Sequence, residues 1–274
     1  MYSQERKTKI IDLLGAQSSV SVNVLADMLH TSKETIRRDL KSLEAEGILT
    51  RTHGGAILNA NPLNVGTAAK YGDTVLNSES PFLLRHGRNI PQKKLIAQKA
   101  ASLIENRDTI FIDNSSTTLF LLDYIPKEMH LTIITNSVKV LREAAKLENP
   151  NLSLICLAGF YNGNNYSLYG TRTIKSSEEF YPDKTFISCT GVTLNKRLTD
   201  ISLNEIDTKK AMMDKSEETY LLVDHTKFEV AGPFFLGNFN EIDCIVTDNF
   251  NYTPEVSETL RTITKKHGVR IITA

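Results

Sequence analysis

From residue 82 onward, short apolar runs rich in Val, Ile, Thr and Phe recur at 109–113, 131–136, 152–157, 185–189, 219–224, 244–247 and 270–273. Helical patterns fall between most of them, at 92–105, 118–124, 138–147, 203–216 and 254–267. Runs this short suit strands, and a helix between two strands returns the chain so that they can pair in parallel. The alternation predicts an α/β unit: a mainly parallel sheet with both faces covered by helices. The order of the strands is not encoded in this pattern.

Residues 1–58 read differently, as three helices and a hairpin. Ile10, Ile11, Leu13 and Leu14 make one face of a first helix that ends near Gly15. Ser21 opens a second, with Val24, Leu25, Met28 and Leu29 turned inward. Thr31 and Glu34 have the spacing of a capping box for a third, with Ser32 as an alternative cap. That helix buries Ile36, Leu40 and Leu43, runs to about Glu46 and stops at Gly47. Apolar runs at 48–52 and 56–58 flank His53-Gly54-Gly55, a tight turn between two strands. Residues 59–80, rich in Asn, Gly, Ser and Thr, have linker composition. The expected organisation is a winged helix-turn-helix at 1–58, a linker at 59–80 and an α/β domain at 81–274.

Charge alone does not advertise a nucleic-acid partner. Lys+Arg and Asp+Glu balance at 32 each, and 1–58 carries eight basic against seven acidic residues. Position matters more. On the third helix the face opposite Ile36, Leu40 and Leu43 carries Ser32, Thr35, Arg38 and Ser42, flanked by Arg37 and Lys41. Small hydroxyls and a guanidinium at a helix N-terminus suit a major groove, where Arg takes guanine O6 and N7 together and hydroxyls hold phosphates. Arg51 and His53 stand where a wing would meet the backbone or minor groove. The alternative is a small three-helix module with a solvated basic face that docks to protein.

In the α/β unit, the run 109–113 ends in Asn114-Ser115-Ser116-Thr117-Thr118 and continues into a helical pattern. A hydroxyl-lined turn at a strand's carboxyl end can present donors to an anion, with phosphate the best candidate. Thr135-Asn136-Ser137 closes the next run in the same manner. Cys156, Cys189 and Cys244 are far apart, without CxxC or metal-ligand spacing, and read as buried reduced thiols. No metal or cofactor motif is present, so none is expected. Nothing in the sequence has the length of a membrane span or the form of a signal peptide, which predicts a cytoplasmic protein.

The run Ser32-Lys33-Glu34-Thr35-Ile36-Arg37-Arg38-Asp39-Leu40, then Leu43-Glu44, Gly47 and Arg51-Thr52-His53-Gly54-Gly55-Ala56, resembles the DeoR-type (DeoR/GlpR-like) bacterial transcription regulators. Arg6, Ile10 and Leu14 supply the upstream positions of that signature, and the match covers the whole first domain. The resemblance implies sequence-specific binding of double-stranded operator DNA, with Thr35, Arg37 and Arg38 on the recognition helix. Asp39 is then expected to orient a neighbouring Arg, because phosphates repel a carboxylate. The likeness continues through Asp113–Thr118, Thr135-Asn136-Ser137, Gly159, Gly170, Gly191, Glu205 with Lys209, Asp224-Lys227-Phe228 and Thr247-Asp248. It implies a Rossmann-like C-terminal domain similar to ribose-5-phosphate isomerase in fold, sensing a phosphorylated sugar. Asp113, Ser115, Ser116, Thr117 and Thr118 would form the phosphate loop, completed by Asn136 and Lys227. Such a regulator, most simply a repressor of a carbohydrate operon, would act as a homodimer or tetramer on paired half-sites.

The sequence departs from the family at two places, with Ser115 where Gly is common and Ala158-Gly159 where Gly-Gly is common. Glycine allows positive φ, so Ser115 is expected to reshape the loop. The segment Tyr161–Tyr166, polar and aromatic, reads as a surface turn, with a ligand-specific loop as the alternative. Two other functions use the same residues. A sugar-phosphate isomerase could draw on Glu205, Asp224, Lys209 and Lys227, though no nucleophile motif accompanies them and the expectation is a protein that is not an enzyme. A bare oligomerisation scaffold would leave the pocket vacant.

Overall fold

The computed structural model describes residues 3–17, 19–45, 48–58, 82–195, 197–248 and 252–274. The expected linker and the Gly47 helix stop lie outside the described residues. The chain divides into two compact units, Met1–Pro91 and Gln92–Ala274.

The first unit begins with α1 (Ser3–Gln17), β1 (Ser19–Ser21), α2 (Val22–Met28) and α3 (Lys33–Ala45). It continues with β2 (Leu49–Thr52), β3 (Gly55–Leu58) and α4 (Phe82–His86). Ser21 caps α2 by accepting from the Val24 N–H, and Ser32 caps α3 by accepting from Thr35 (3.1 Å). Ser32, not Thr31, is therefore the cap. Helix α2 corrects one expectation: Val24 and Met28 are 42% and 51% exposed, while Val22, Leu25, Ala26 and Leu29 are buried. A seven-residue helix has one inward stripe, and here the i, i+3, i+4, i+7 series starts at Val22. Strand β1 was not expected; it pairs antiparallel with β3, giving the order β1-β3-β2. Gly54 turns the hairpin with φ of +99°, and a Cβ at Gly55 would lie 2.4 Å from the Val20 carbonyl oxygen. The second glycine lets β1 close onto the wing. Helix α4 packs on α1 and belongs to this unit.

The second unit runs α5 (Ile90–Ala101), β4 (Thr109–Ile112), β5 (Leu131–Thr135), α6 (Val138–Ala144) and β6 (Leu152–Cys156). Then come β7 (Phe160–Asn162), β8 (Ser167–Tyr169), α7 (Thr171–Ser177), β9 (Lys184–Ile187), β10 (Gly191–Thr193) and β11 (Arg197–Asp200). It closes with α8 (Leu203–Lys215), β12 (Glu218–Leu222), β13 (Phe234–Gly237), β14 (Cys244–Thr247), α9 (Pro254–His267) and β15 (Arg270–Thr273). Each of the expected apolar runs is a strand of one parallel sheet, ordered β15-β14-β12-β9-β4-β5-β6. Strands β9 and β14 are buried along their whole length, as a sheet covered on both faces requires. The segment 118–124 is a 3₁₀ helix. Short antiparallel pieces escaped the pattern: the hairpin β7–β8 and the small sheet β10-β11-β13. Cys189 and Cys244 are buried, but Cys156 is exposed on edge strand β6, against the expectation of three buried thiols.

From β4 the chain moves through β5 to β6 on one side of the sheet. From β9 it moves through β12 and β14 to β15 on the other. Strands β4 and β9 are neighbours, so their carboxyl ends mark the switch point where open α/β sheets leave a crevice for ligands.

Candidate functional site

In the first unit, α3 is docked through its inner face. Arg6 Nε and Nη2 donate to Asp39 at 2.5 and 3.2 Å, with both side chains nearly buried. Ser3 also donates to Asp39 (3.3 Å), and Lys7 reaches Ser42 at 2.6 Å. Asp39 therefore orients an arginine, as expected, whereas Ser42 faces α1 and not the outer surface. That surface keeps Ser32, Arg37, Arg38 and Lys41 exposed and Thr35 half-buried. Arg38 and Lys41 pair with no described residue, while Arg37 lies 3.4 Å from Glu34. Ser32 and Thr35 share a hydroxyl–hydroxyl bond of 2.8 Å.

On the wing, His53 is exposed at the turn, but Arg51 is not independent. Its Nε and its backbone N–H both donate to Glu44, at 2.7 and 3.1 Å. The hydrogen bond from the Arg51 guanidinium holds the Glu44 carboxyl below its usual range. The pair fixes the wing against α3, along a groove of about 580 Å³ lined by Arg37, Leu40, Glu44, Arg51 and His53. Sequence reasoning read Arg51 and did not foresee this anchor.

At the switch point, fully buried Asp113 organises the loop after β4. Its carboxylate accepts from the Ser115 N–H (2.9 Å), Ser115 Oγ (2.5 Å), Thr118 Oγ1 (2.7 Å) and the Ser188 N–H (3.2 Å). With these donors in place the carboxylate shapes the turn from behind. Ser115 does not need a positive φ, so the serine fits without backbone strain and its hydroxyl is drawn inward. Ser116 Oγ accepts from Lys93 at 3.2 Å, a lysine only 4% exposed on α5 that sequence reasoning missed. Thr117, also buried, makes no side-chain capping bond to the 3₁₀ helix.

Beneath the loop lies a second charged cluster. Lys209 of α8 donates to Asp200 (2.6 Å) and the Ser188 carbonyl (2.8 Å), and stands 3.5 Å from Asp113. Burial opposes its charge, yet Asp200 and Asp113 outweigh that and hold its amine above the ordinary lysine range. Asp200 is likewise held below its usual value by Lys209, against the opposing effect of burial. Burial pushes the nearby Cys189 thiol up to about 12, with the charge of Asp200 adding to it and those of Lys209 and Lys227 opposing. Lys227 lies in the turn after β12, the neighbour of β9 in the sheet, half-buried and paired with no described residue.

Asn136, at the end of β5, is clamped to the hairpin. Its Nδ2 donates to the Leu168 carbonyl (3.0 Å), and its own carbonyl accepts from Leu168 N–H (2.7 Å). The segment read as a surface turn is the tip of that hairpin. Its Asn165 is fully buried, and Ser167 donates to Glu205 at 2.5 Å. The carboxylates and lysines that an isomerase would need are thus largely committed: Glu205 to the hairpin and Lys209 to Asp200.

A winged helix-turn-helix and a parallel α/β unit with a built loop at its switch point define a DNA-binding transcription regulator with a sensor domain. Residues 6–61 match the family described as DeoR-like helix-turn-helix domain, and residues 88–249 match the DeoR C terminal sensor domain. The chain belongs to the DeoR family of transcription regulators. It is 33% identical to the HTH-type transcriptional regulator GolR of Listeria innocua serovar 6a, over 91% of this chain and 92% of the relative. It is 30% identical to the lactose phosphotransferase system repressor of Staphylococcus aureus, over 90% and 93%. These relatives are regulators, not enzymes. A solved structure of ribose 5-phosphate isomerase A from Methanocaldococcus jannaschii superposes with a TM-score of 0.38 at 18% identity, covering 51% of this chain and 55% of that one. Among the described residues, no helix is long and apolar enough to cross a membrane.

Proposed function

We propose that the chain represses a carbohydrate-metabolism operon and that a phosphorylated sugar, bound at the β4/β9 switch point, changes its affinity for the operator. The observation that carries this is the loop 113–118, held in shape by Asp113 with a buried lysine against Ser116. The phosphate would lie on Ser115, Ser116, Thr117 and Thr118, with Lys93 and Lys227 as point charges and Asn136 beside the sugar. Asp113 stays behind the loop, since a carboxylate in contact with phosphate would repel it. A relative named as repressor of a lactose phosphotransferase system supports the sugar connection. The chain would act as a homodimer or tetramer, because paired half-sites give spacing selectivity that one winged helix lacks.

On DNA, Arg38 would read a base edge from the exposed face of α3. Ser32, Thr35, Arg37 and Lys41 would hold phosphates, and Arg51 and His53 would touch the backbone from the wing. Arg38→Ala is expected to weaken specific binding by about 1–3 kcal/mol while leaving the melting temperature unchanged. Anisotropy titration of a duplex selected by the full chain from a random library measures this.

The effector half is tested on the same duplex with a panel of sugar phosphates and their free sugars. One phosphorylated sugar is expected to shift operator affinity by roughly 5–150-fold, its free sugar having no effect. Ser116→Glu should abolish the shift and preserve DNA binding. Operator affinity indifferent to every phosphorylated sugar would leave the second unit as a scaffold.

A further inference from the structure

Two buried amide oxygens beside the switch-point loop have no donor. Asn114 and Asn136 are 3% and 1% exposed, and the Oδ1 of each is buried without a hydrogen-bond partner among the described residues. The two residues are neighbours across the sheet: Ile112 and Thr135 are register partners in β4 and β5, and Thr135 Oγ1 donates to the Ile112 carbonyl at 2.6 Å. Asn136 directly follows Thr135, and Asn114 stands two residues past Ile112. The Asn136 amide cannot turn over cheaply, because its Nδ2 is held by the Leu168 carbonyl. Among the described residues Asn114 has no side-chain hydrogen-bond partner.

Buried polar atoms are almost always paired, and orphans concentrate where a missing molecule supplies the partner. An orphan acceptor calls for a donor. Lys227, which pairs with no described residue, already places a cation beyond β12 at this end, and the effector proposed above is a phosphorylated sugar whose neutral donors are its hydroxyls. Hydroxyl groups are the donors that remain. We infer that Asn114 and Asn136 read hydroxyls of the effector, so that the site selects a polyhydroxylated phosphate over its deoxy analogue and over inorganic phosphate. A site built to take a hydroxyl rejects the analogue lacking it strongly, because its own buried acceptor is then left unpaired. The inference rests on the reading of loop 113–118 as an effector site.

Asn114→Ala isolates the effect, since no protein hydrogen bond is lost with the side chain. The full chain and this variant are titrated by thermal shift with inorganic phosphate, ribose 5-phosphate, 2-deoxyribose 5-phosphate, glucose 6-phosphate and 2-deoxyglucose 6-phosphate. The wild type is expected to bind one hydroxylated compound at least tenfold more tightly than its deoxy partner. Asn114→Ala should lose tenfold or more for the hydroxylated compound, and no more than twofold for the deoxy one or for phosphate. Its melting temperature without ligand should equal or exceed that of the wild type. Binding by the wild type with no hydroxyl preference, or a preference that survives in Asn114→Ala, overturns this inference and leaves the phosphate loop standing. Failure of all five compounds to bind the wild type overturns the inference together with the effector reading beneath it.

Discussion

Lys209→Met is expected to lower the unfolding free energy of the second unit by about 3–5 kcal/mol at neutral pH, because it strands two buried carboxylates. Asp200 and Asp113 share that lysine, and neither has another basic partner in the cluster. The melting temperature should fall by on the order of 10 °C for a unit of this size. The pH dependence is the sharper signature. In the wild type Lys209 holds the Asp200 carboxyl below its ordinary value, so its contribution is present above about pH 4 and is lost as pH falls through the depressed folded value. The amine of Lys209 is raised, so its contribution is complete below roughly pH 10 and fades as pH climbs through the raised folded value. Without the lysine, burial, the largest influence on Asp200, pushes its carboxyl upward against the remaining hydrogen bonds from Thr190 and Ile201. A raised carboxyl contributes stability at low pH and loses it as pH rises. Above about pH 4 the variant should therefore grow less stable with rising pH, opposite to the acid limb of the wild type. Calorimetric melts across that range decide it. Parallel curves for the two proteins would mean that Asp200 and Lys209 are not coupled through the folded state.

The positions of the parallel strands were legible in the sequence because each is a short apolar run, and inner strands such as β9 and β14, buried on both faces, leave no other pattern. Their order was not, because nothing in a run such as 184–187 says that it will lie beside 109–112 rather than beside its predecessor. The hairpin β7–β8 hid for another reason. Its tip is polar because Asn165 and Ser167 answer to Glu205, almost forty residues away, and such long-range hydrogen bonding resembles surface composition. The same limit applied to the charges. Arg38, Arg51 and Lys227 announced themselves as cations, whereas Glu44 under Arg51, Lys93 against Ser116 and Lys209 between two aspartates became readable only in three dimensions. Ser115 shows the converse. A departure from the family glycine looked disruptive, but the loop does not require positive φ there.

Asp39→Ala should be the most damaging single substitution on α3, although Asp39 lies on the buried face turned to α1 and not on the exposed face that carries Arg38. It removes the carboxylate that Arg6 meets with two nitrogens, in a contact where the two side chains are 11% and 6% exposed. Breaking such a pair costs about 3 kcal/mol, a large share of what a small winged-helix unit has in hand. Its melting temperature should drop by roughly 10–20 °C. Asp39→Asn, which keeps one acceptor for Arg6 and Ser3, should fall between the variant and the wild type. Operator affinity should follow the folded fraction, recovering as the Asp39→Ala protein is cooled and collapsing on warming. Arg38→Ala predicts the contrary pattern, a loss of affinity nearly constant with temperature and no change in melting. The two neighbours thus separate a residue that holds α3 in place from one that reads through it. An Asp39→Ala protein with a normal melting temperature and no operator affinity would show that Asp39 meets the DNA directly, and the inner and outer faces of α3 would have to be exchanged.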